Sequence, residues 1–237
     1  MPMKAWYALL IPLLAVALAS PATLTVSLTG FGTHSFTKFW VYNEAGDFVA
    51  SGSVTDNQFS FEYNAATSYI VKAEGDAITI FTVPANLAAT TYAISGGRLA
   101  NVTVKVVFTG PGFKPSTVAY TVTVGTYPNV TVASGKTLFT EVPATLTFPE
   151  KLLFPAVYGY KLSKITVDGA EVVTPIIDTV GQHTIEVTYE AAGLATVEPM
   201  MLFAGAGIII VLIALAVSRR RGVQSAVAAL RSPYLEQ

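Results

Sequence analysis

Hydrophobic residues in the middle of this chain recur at every second position. No stretch between residues 20 and 190 repeats them with the period of about 3.6 that marks an amphipathic helix. Leu24, Val26 and Leu28 alternate with Thr25, Ser27 and Thr29, and Phe59, Phe61 and Tyr63 alternate with Ser60 and Glu62. Val102, Val104, Val106 and Phe108 alternate with Asn101, Thr103, Lys105 and Val107, and Ile185, Val187 and Tyr189 alternate with Thr184, Glu186 and Thr188. Successive side chains of a strand point to opposite faces, so the pattern dictates antiparallel strands with one face on a core and one in water. Hairpin turns are expected at Ala45-Gly46-Asp47 and Asp168-Gly169, where glycine accepts a positive φ. The expected fold class is all-β.

An internal repeat divides the strands. Leu24-Thr25-Val26-Ser27-Leu28-Thr29-Gly30-Phe31-Gly32 matches Val104-Lys105-Val106-Val107-Phe108-Thr109-Gly110-Pro111-Gly112 at an offset of 80 residues, and Trp40 still aligns with Tyr120. Ser95-Gly96-Gly97 supplies a linker before the second copy. This reads as two tandem immunoglobulin-like or transthyretin-like β-sandwiches, residues 20–97 and 98–191, followed by a juxtamembrane linker at 192–199.

Two apolar segments bracket this body. Lys4 precedes a short apolar run that ends in Ala17-Leu18-Ala19 and Ser20, the pattern of a secretory signal at 1–19 cleaved between Ala19 and Ser20. Residues 200–218 carry no charge and, at 1.5 Å per residue, reach about 28 Å, the span of a transmembrane helix. Arg219, Arg220 and Arg221 follow at once as a stop-transfer signal, which puts the tail 219–237 in the cytoplasm and the body outside. The expected localisation is the cell membrane, single-pass, with membrane lipid as the partner of the C-terminal helix.

Between residues 20 and 199 there are nine Lys or Arg against fourteen Asp or Glu, so the body is near −5. An acidic, sparsely charged body argues against a nucleic-acid partner, which requires a basic stripe. The chain has no cysteine, so an exported body must hold together by packing instead of disulfides.

The segment from Phe39 to Phe61, with Tyr69-Ile70-Val71-Lys72-Ala73, is similar to the transthyretin-like sandwich of collagen-adhesin B-type repeats and carboxypeptidase regulatory-like domains. Those families run strand, acidic-glycine turn, strand, polar turn, Phe-x-Phe strand, Tyr-x-Val strand. The resemblance implies a spacer or adhesion module, and the composition resembles that of prokaryotic, especially archaeal, membrane-anchored surface proteins. Some adhesin repeats carry a Lys–Asn isopeptide bond. Here residues 24–29 hold no Lys, Lys105 lies on the polar parity of its strand, and residues 184–189 hold no Asn, so no such bond is expected.

Chemistry-bearing residues are sparse. Two histidines without cysteine or a dense carboxylate run give no metal site, and no catalytic residue or cofactor is expected. His183 shares the inward parity of Ile185 and reads as a cap on a core edge, and His34 sits in a polar loop. Gly30-Phe31-Gly32 lacks the third glycine and the helix of a dinucleotide loop. Asn101 and Asn129 head sequons, with Asn and Thr on the polar parity, and are candidate N-glycosylation sites. Trp40 and Tyr42 share a face opposite Phe39 and Val41, and whichever pair points outward forms an aromatic patch for glycans, envelope proteins or a second copy.

The function these features point to is a non-enzymatic surface protein with a structural or adhesive role in the cell envelope. The alternative is an accessory or ligand-presenting subunit of a membrane transporter or protease complex.

Overall fold

The computed structural model describes residues 22–111, 114–154 and 158–193. The alternating segments all form strands. The first half holds β1 (Ala22–Thr29), β2 (Phe36–Asn43), β3 (Phe48–Ser53), β4 (Gln58–Tyr63), β5 (Tyr69–Gly75), β6 (Ala77–Val83) and β7 (Thr91–Ser95). A 3₁₀ turn, Gly96–Arg98, leads to β8 (Ala100–Thr109), β9 (Ala119–Val124), β10 (Val130–Ala133), β11 (Thr137–Thr140) and β12 (Ala144–Thr147). The chain continues through β13 (Lys151–Phe154), β14 (Tyr158–Val167), β15 (Ala170–Glu171), β16 (Ile176–Ile177) and β17 (Gln182–Gly193). The protein is all-β, with no α-helix among the described residues. None of the helices there is long and apolar enough to cross a membrane; the expected span at 200–218 lies outside the described residues.

One long sheet runs through both halves in the order β13-β14-β17-β8-β11-β6-β5-β2-β3, with β15 also on β14. Two shorter sheets cover it, β4-β1-β7 and β10-β9-β12-β16. The covers lie on opposite faces, and strand parity shows this directly. Val71, Ala73, Phe81 and Val83 join Leu24, Val26, Phe59 and Phe61 of the first cover. Ile70, Ile78, Ile80 and Leu138 point the other way and join Tyr120, Val122, Val132 and Leu146 of the second. The sequence reads as two tandem units. In the structure their sheets are fused edge to edge by parallel pairing of β6 with β11, Ala77 to Thr137 through Ile80 to Thr140. β6 is therefore buried on both faces, which explains its unbroken run Ala77-Ile78-Thr79-Ile80-Phe81.

The internal repeat has a geometric counterpart. β1 pairs parallel with β7, the last strand of its half, and β8 pairs parallel with β17, the last strand of the second. At the end of each first strand a threonine hydroxyl donates to its parallel neighbour: Thr29 Oγ1 to the Ile94 carbonyl at 3.2 Å and Thr109 Oγ1 to the Tyr189 carbonyl at 3.3 Å. The next residue is a glycine with a left-handed backbone, Gly30 at φ 68° and Gly110 at φ 90°. The same Thr-Gly pair thus ends the first strand of both halves. The expected linker at 95–97 is not loose: Gly96 is buried, and a Cβ there would lie 2.7 Å from the Gly30 carbonyl oxygen.

Both hairpin turns form where expected. Asn43 Oδ1 accepts the backbone N–H groups of Ala45 and Asp47 around Gly46. A further tight turn at Asp56-Asn57, closed by reciprocal bonds between Thr55 and Gln58, carries the chain from β3 in the long sheet to β4 in its cover. The order β2, turn, β3, polar turn, β4, β5 follows the strand sequence that the resemblance implies.

Candidate contact surface

On β2 the first cover sheet decides which aromatic pair goes inward. Phe39 and Val41 are buried under it, and Phe39 stacks on Phe59 at a centroid distance of 4.2 Å. Trp40 and Tyr42 project from the other face and remain half-buried. Cross-strand pairing sets Trp40 opposite Lys72 of β5, and the Lys72 ammonium lies 5.0 Å from the Trp40 ring centroid. That ammonium also meets Glu74 Oε2 at 3.0 Å and donates to the Thr131 carbonyl at 3.2 Å. Lys136 meets the other oxygen of Glu74 at 2.8 Å. Burial alone would raise the Glu74 carboxyl, but its bonds to the two ammonium groups outweigh it and hold the group low.

Phe48 extends the patch. It is 59% exposed and meets Tyr42 edge to face at 6.2 Å. Tyr42 also packs against the second core and, with Gly46, Ile70, Pro128 and Asn129, lines a cleft of about 270 Å³. Trp40, Tyr42 and Phe48 thus form one surface with a fixed cation. The sequence marks Trp40 and Tyr42 but not Phe48 or Lys72. Their membership depends on strand register, and a bulge between Val41 and Tyr42 changes which residue of β3 faces Tyr42.

The histidines are held structurally. His183 Nδ1 lies 2.8 Å from Asp168 Oδ2, and Nε2 lies 3.0 Å from the Thr179 carbonyl oxygen and 3.4 Å from Thr179 Oγ1. The other Asp168 oxygen accepts the Thr184 N–H at 2.7 Å. The trio resembles a hydrolytic arrangement only on paper. Nε2 points a proton at a carbonyl and so cannot take one from the Thr179 hydroxyl. The bond to Asp168 raises the His183 pKa, burial opposes this, and the Thr179 carbonyl and the charges of Asp168 and Asp178 reinforce it. The partner of His183 is 15 residues away in sequence, in the Asp168-Gly169 turn, and strand pairing brings the two together. His34 Nδ1 lies 3.6 Å from Asp76 Oδ2, with its ring edge-on to Phe139. Among the described residues no group of three or more metal-ligating side chains is gathered.

The two sequons differ in setting. Asn129 is exposed in the turn from β9 to β10, and its Oδ1 accepts the Thr123 hydroxyl. Asn101 is half-buried on β8 between β17 and β11, and lines a glycine-rich cleft of about 440 Å³ with His34, Gly96 and Gln182. Lys105 is exposed on the same strand. A further cleft, about 620 Å³, lies between β12 and β14 and is lined by Phe148, Leu162 and Val173 together with Lys164, whose ammonium meets Glu171 at 3.2 Å. Ala19, Ser20, Arg219, Arg220 and Arg221 lie outside the described residues.

No known family profile matches the chain, and no curated protein matches it. Among solved structures it is similar to the minor pilin of Streptococcus agalactiae, at 9% identity over 72% of this chain and 96% of that one, with a TM-score of 0.27. It is similar to the shaft pilin SpaA of Lactobacillus rhamnosus GG, at 10% identity over 73% and 99%, with a TM-score of 0.24. A streptococcal ancillary pilin matches at 11% identity over 71% and 68%, with a TM-score of 0.25. Scores of this size transfer neither a family nor an activity to this chain.

Proposed function

We propose that this chain is a non-enzymatic cell-surface protein with a structural or adhesive role, its body two β-sandwich units sharing one sheet and held to the membrane by residues 200–218. The observation that supports contact over chemistry is the surface of Trp40, Tyr42 and Phe48, with Lys72 fixed above the indole. Aromatic faces beside a desolvated cation suit association with glycans or protein, and they hold no group poised to move a proton. The signal at 1–19 and the stop-transfer arginines support an extracytoplasmic body with a cytoplasmic tail.

The test is protease shaving of intact cells combined with capture of the full chain in mild detergent. External protease is expected to remove the body and leave the arginine-bearing tail, and capture is expected to recover envelope or surface partners, with Trp40→Ala and Phe48→Ala reducing recovery. Co-purification of a polytopic transporter or membrane protease, unaffected by those substitutions, would move the reading to an accessory subunit.

A further inference from the structure

β17 ends at Gly193, and six residues separate it from the span proposed at 200–218. Six residues reach at most about 22 Å. The end of the long sheet that carries Gly193 therefore stands nearest the bilayer, and strand register shows what shares that end. Tyr158, the first residue of β14, pairs with Gly193, and Phe154, the last residue of β13, pairs with Tyr158. The opposite end is distant. There the Asp168 N–H donates to the Thr184 carbonyl, nine residues before Gly193 and about 30 Å back along β17.

Charge divides the two ends. Lys151 and Lys161 are directly opposed in the β13–β14 pair and both are exposed, and Lys161 pairs onward with Glu190, three residues before Gly193. Tyr160 and Tyr189 are buried in the core, so strand alternation puts both lysines on the opposite face. Like charges directly opposite each other cost stability unless something else meets them. Among the described residues no carboxylate does so. Glu190 instead accepts the Ser163 hydroxyl at 2.9 Å, and Glu150, beside Lys151 in sequence, forms no ion pair. The nine residues between the two lysines in sequence carry no charge. At the far end Asp168 and Asp178 both act on His183.

We propose that the Lys151–Lys161 pair is a membrane contact, docking this end of the sheet on the lipid phosphate groups of the bilayer in which the chain is anchored. This rests on reading residues 200–218 as a span. The occupant follows from reach and charge. The pair lies about 10 Å back from Gly193, within reach of the headgroups, whereas the acidic end lies about 20 Å beyond it. Lysine stems carry their ammonium groups outward to an anionic surface, and the same surface repels Asp168 and Asp178. The contact fixes which end of the body faces the membrane, a choice that a six-residue tether alone does not make.

The chain has no cysteine, so a fluorophore can be attached at one introduced site. The full chain is reconstituted in phosphatidylcholine vesicles that contain phosphatidylserine and a headgroup spin-labelled lipid. The fluorophore is placed on Thr109→Cys, the register partner of Glu190, or on Ala170→Cys, exposed at the far end. Quenching is expected to be at least about threefold stronger at 109 than at 170, and raised salt is expected to weaken it. Adding Lys151→Glu with Lys161→Glu is expected to bring position 109 down to the level of 170 with an unchanged circular dichroism spectrum. Lys151→Arg with Lys161→Arg is expected to retain the excess. Equal quenching at the two positions, or an excess that survives the glutamates, overturns the proposal and leaves the span standing. Release of the chain from the vesicles by alkaline washing overturns the span, and the proposal with it.

Discussion

His183 carries a pH signature with a clear sign. Both ring nitrogens face acceptors, Asp168 and the Thr179 carbonyl, so the folded state favours the imidazolium and raises its pKa. A raised folded pKa contributes stability that is complete below the unfolded value of about 6.5 and is lost as pH rises through the folded value. Asp168 has the opposite sign: its carboxyl is lowered by the Thr184 N–H and His183, so its contribution is lost on acidification. Thermal melts are therefore expected to show the midpoint falling as pH rises above about 6.5, with His183→Gln removing most of that slope. Gly75 is a second sensitive position, for steric reasons. A Cβ there would sit 2.0 Å from the Ser35 carbonyl oxygen, where backbone leaves no room. Gly75→Ala is expected to cost about 3 kcal/mol in denaturant unfolding. Neither effect is legible in sequence, since Asp168 and Ser35 reach these positions only through strand pairing.

Among the elements, legibility tracks burial. β1, β4, β8 and β17 have one face covered, so their alternation reads correctly from residues alone. β5 and β6 are covered on both sides and lose the alternation, although they lie at the centre of the molecule. The turns at Gly46 and Asp168-Gly169 are equally legible, because a left-handed backbone restricts which residues can sit there. The status of β3 as an open edge is not. Its composition is uncharged in any case, and only the sheet order reveals that, among the described residues, no strand pairs with its outer side. The Trp40–Tyr42 face lies between these extremes: sequence defines the pair, and the side on which a cover sheet packs decides which way it points.

At the scale of the molecule, the β6–β11 pairing couples the halves. Ile80 points into one core and Phe81, its neighbour, into the other. Truncation of either leaves a cavity worth about 2–5 kcal/mol. Because the two cores share a continuous sheet, Ile80→Ala and Phe81→Ala are each expected to lower one cooperative transition by calorimetry. Two separate transitions, with each variant moving only one, would show that the sheet does not couple them. The residues alone specify the all-β class, the strand parity and the Thr-Gly ends of the first strand in each half. These depend on local geometry, on a side-chain period of two and on backbone conformations few residues accept. Only strand pairing fuses the two halves into one sheet with covers on opposite faces, brings Lys72 and Phe48 to the aromatic patch, and places β3 at the end of the long sheet. Those features depend on which strands meet, and long-range pairing is set by how the whole apolar surface is buried at once, which no local run of residues encodes.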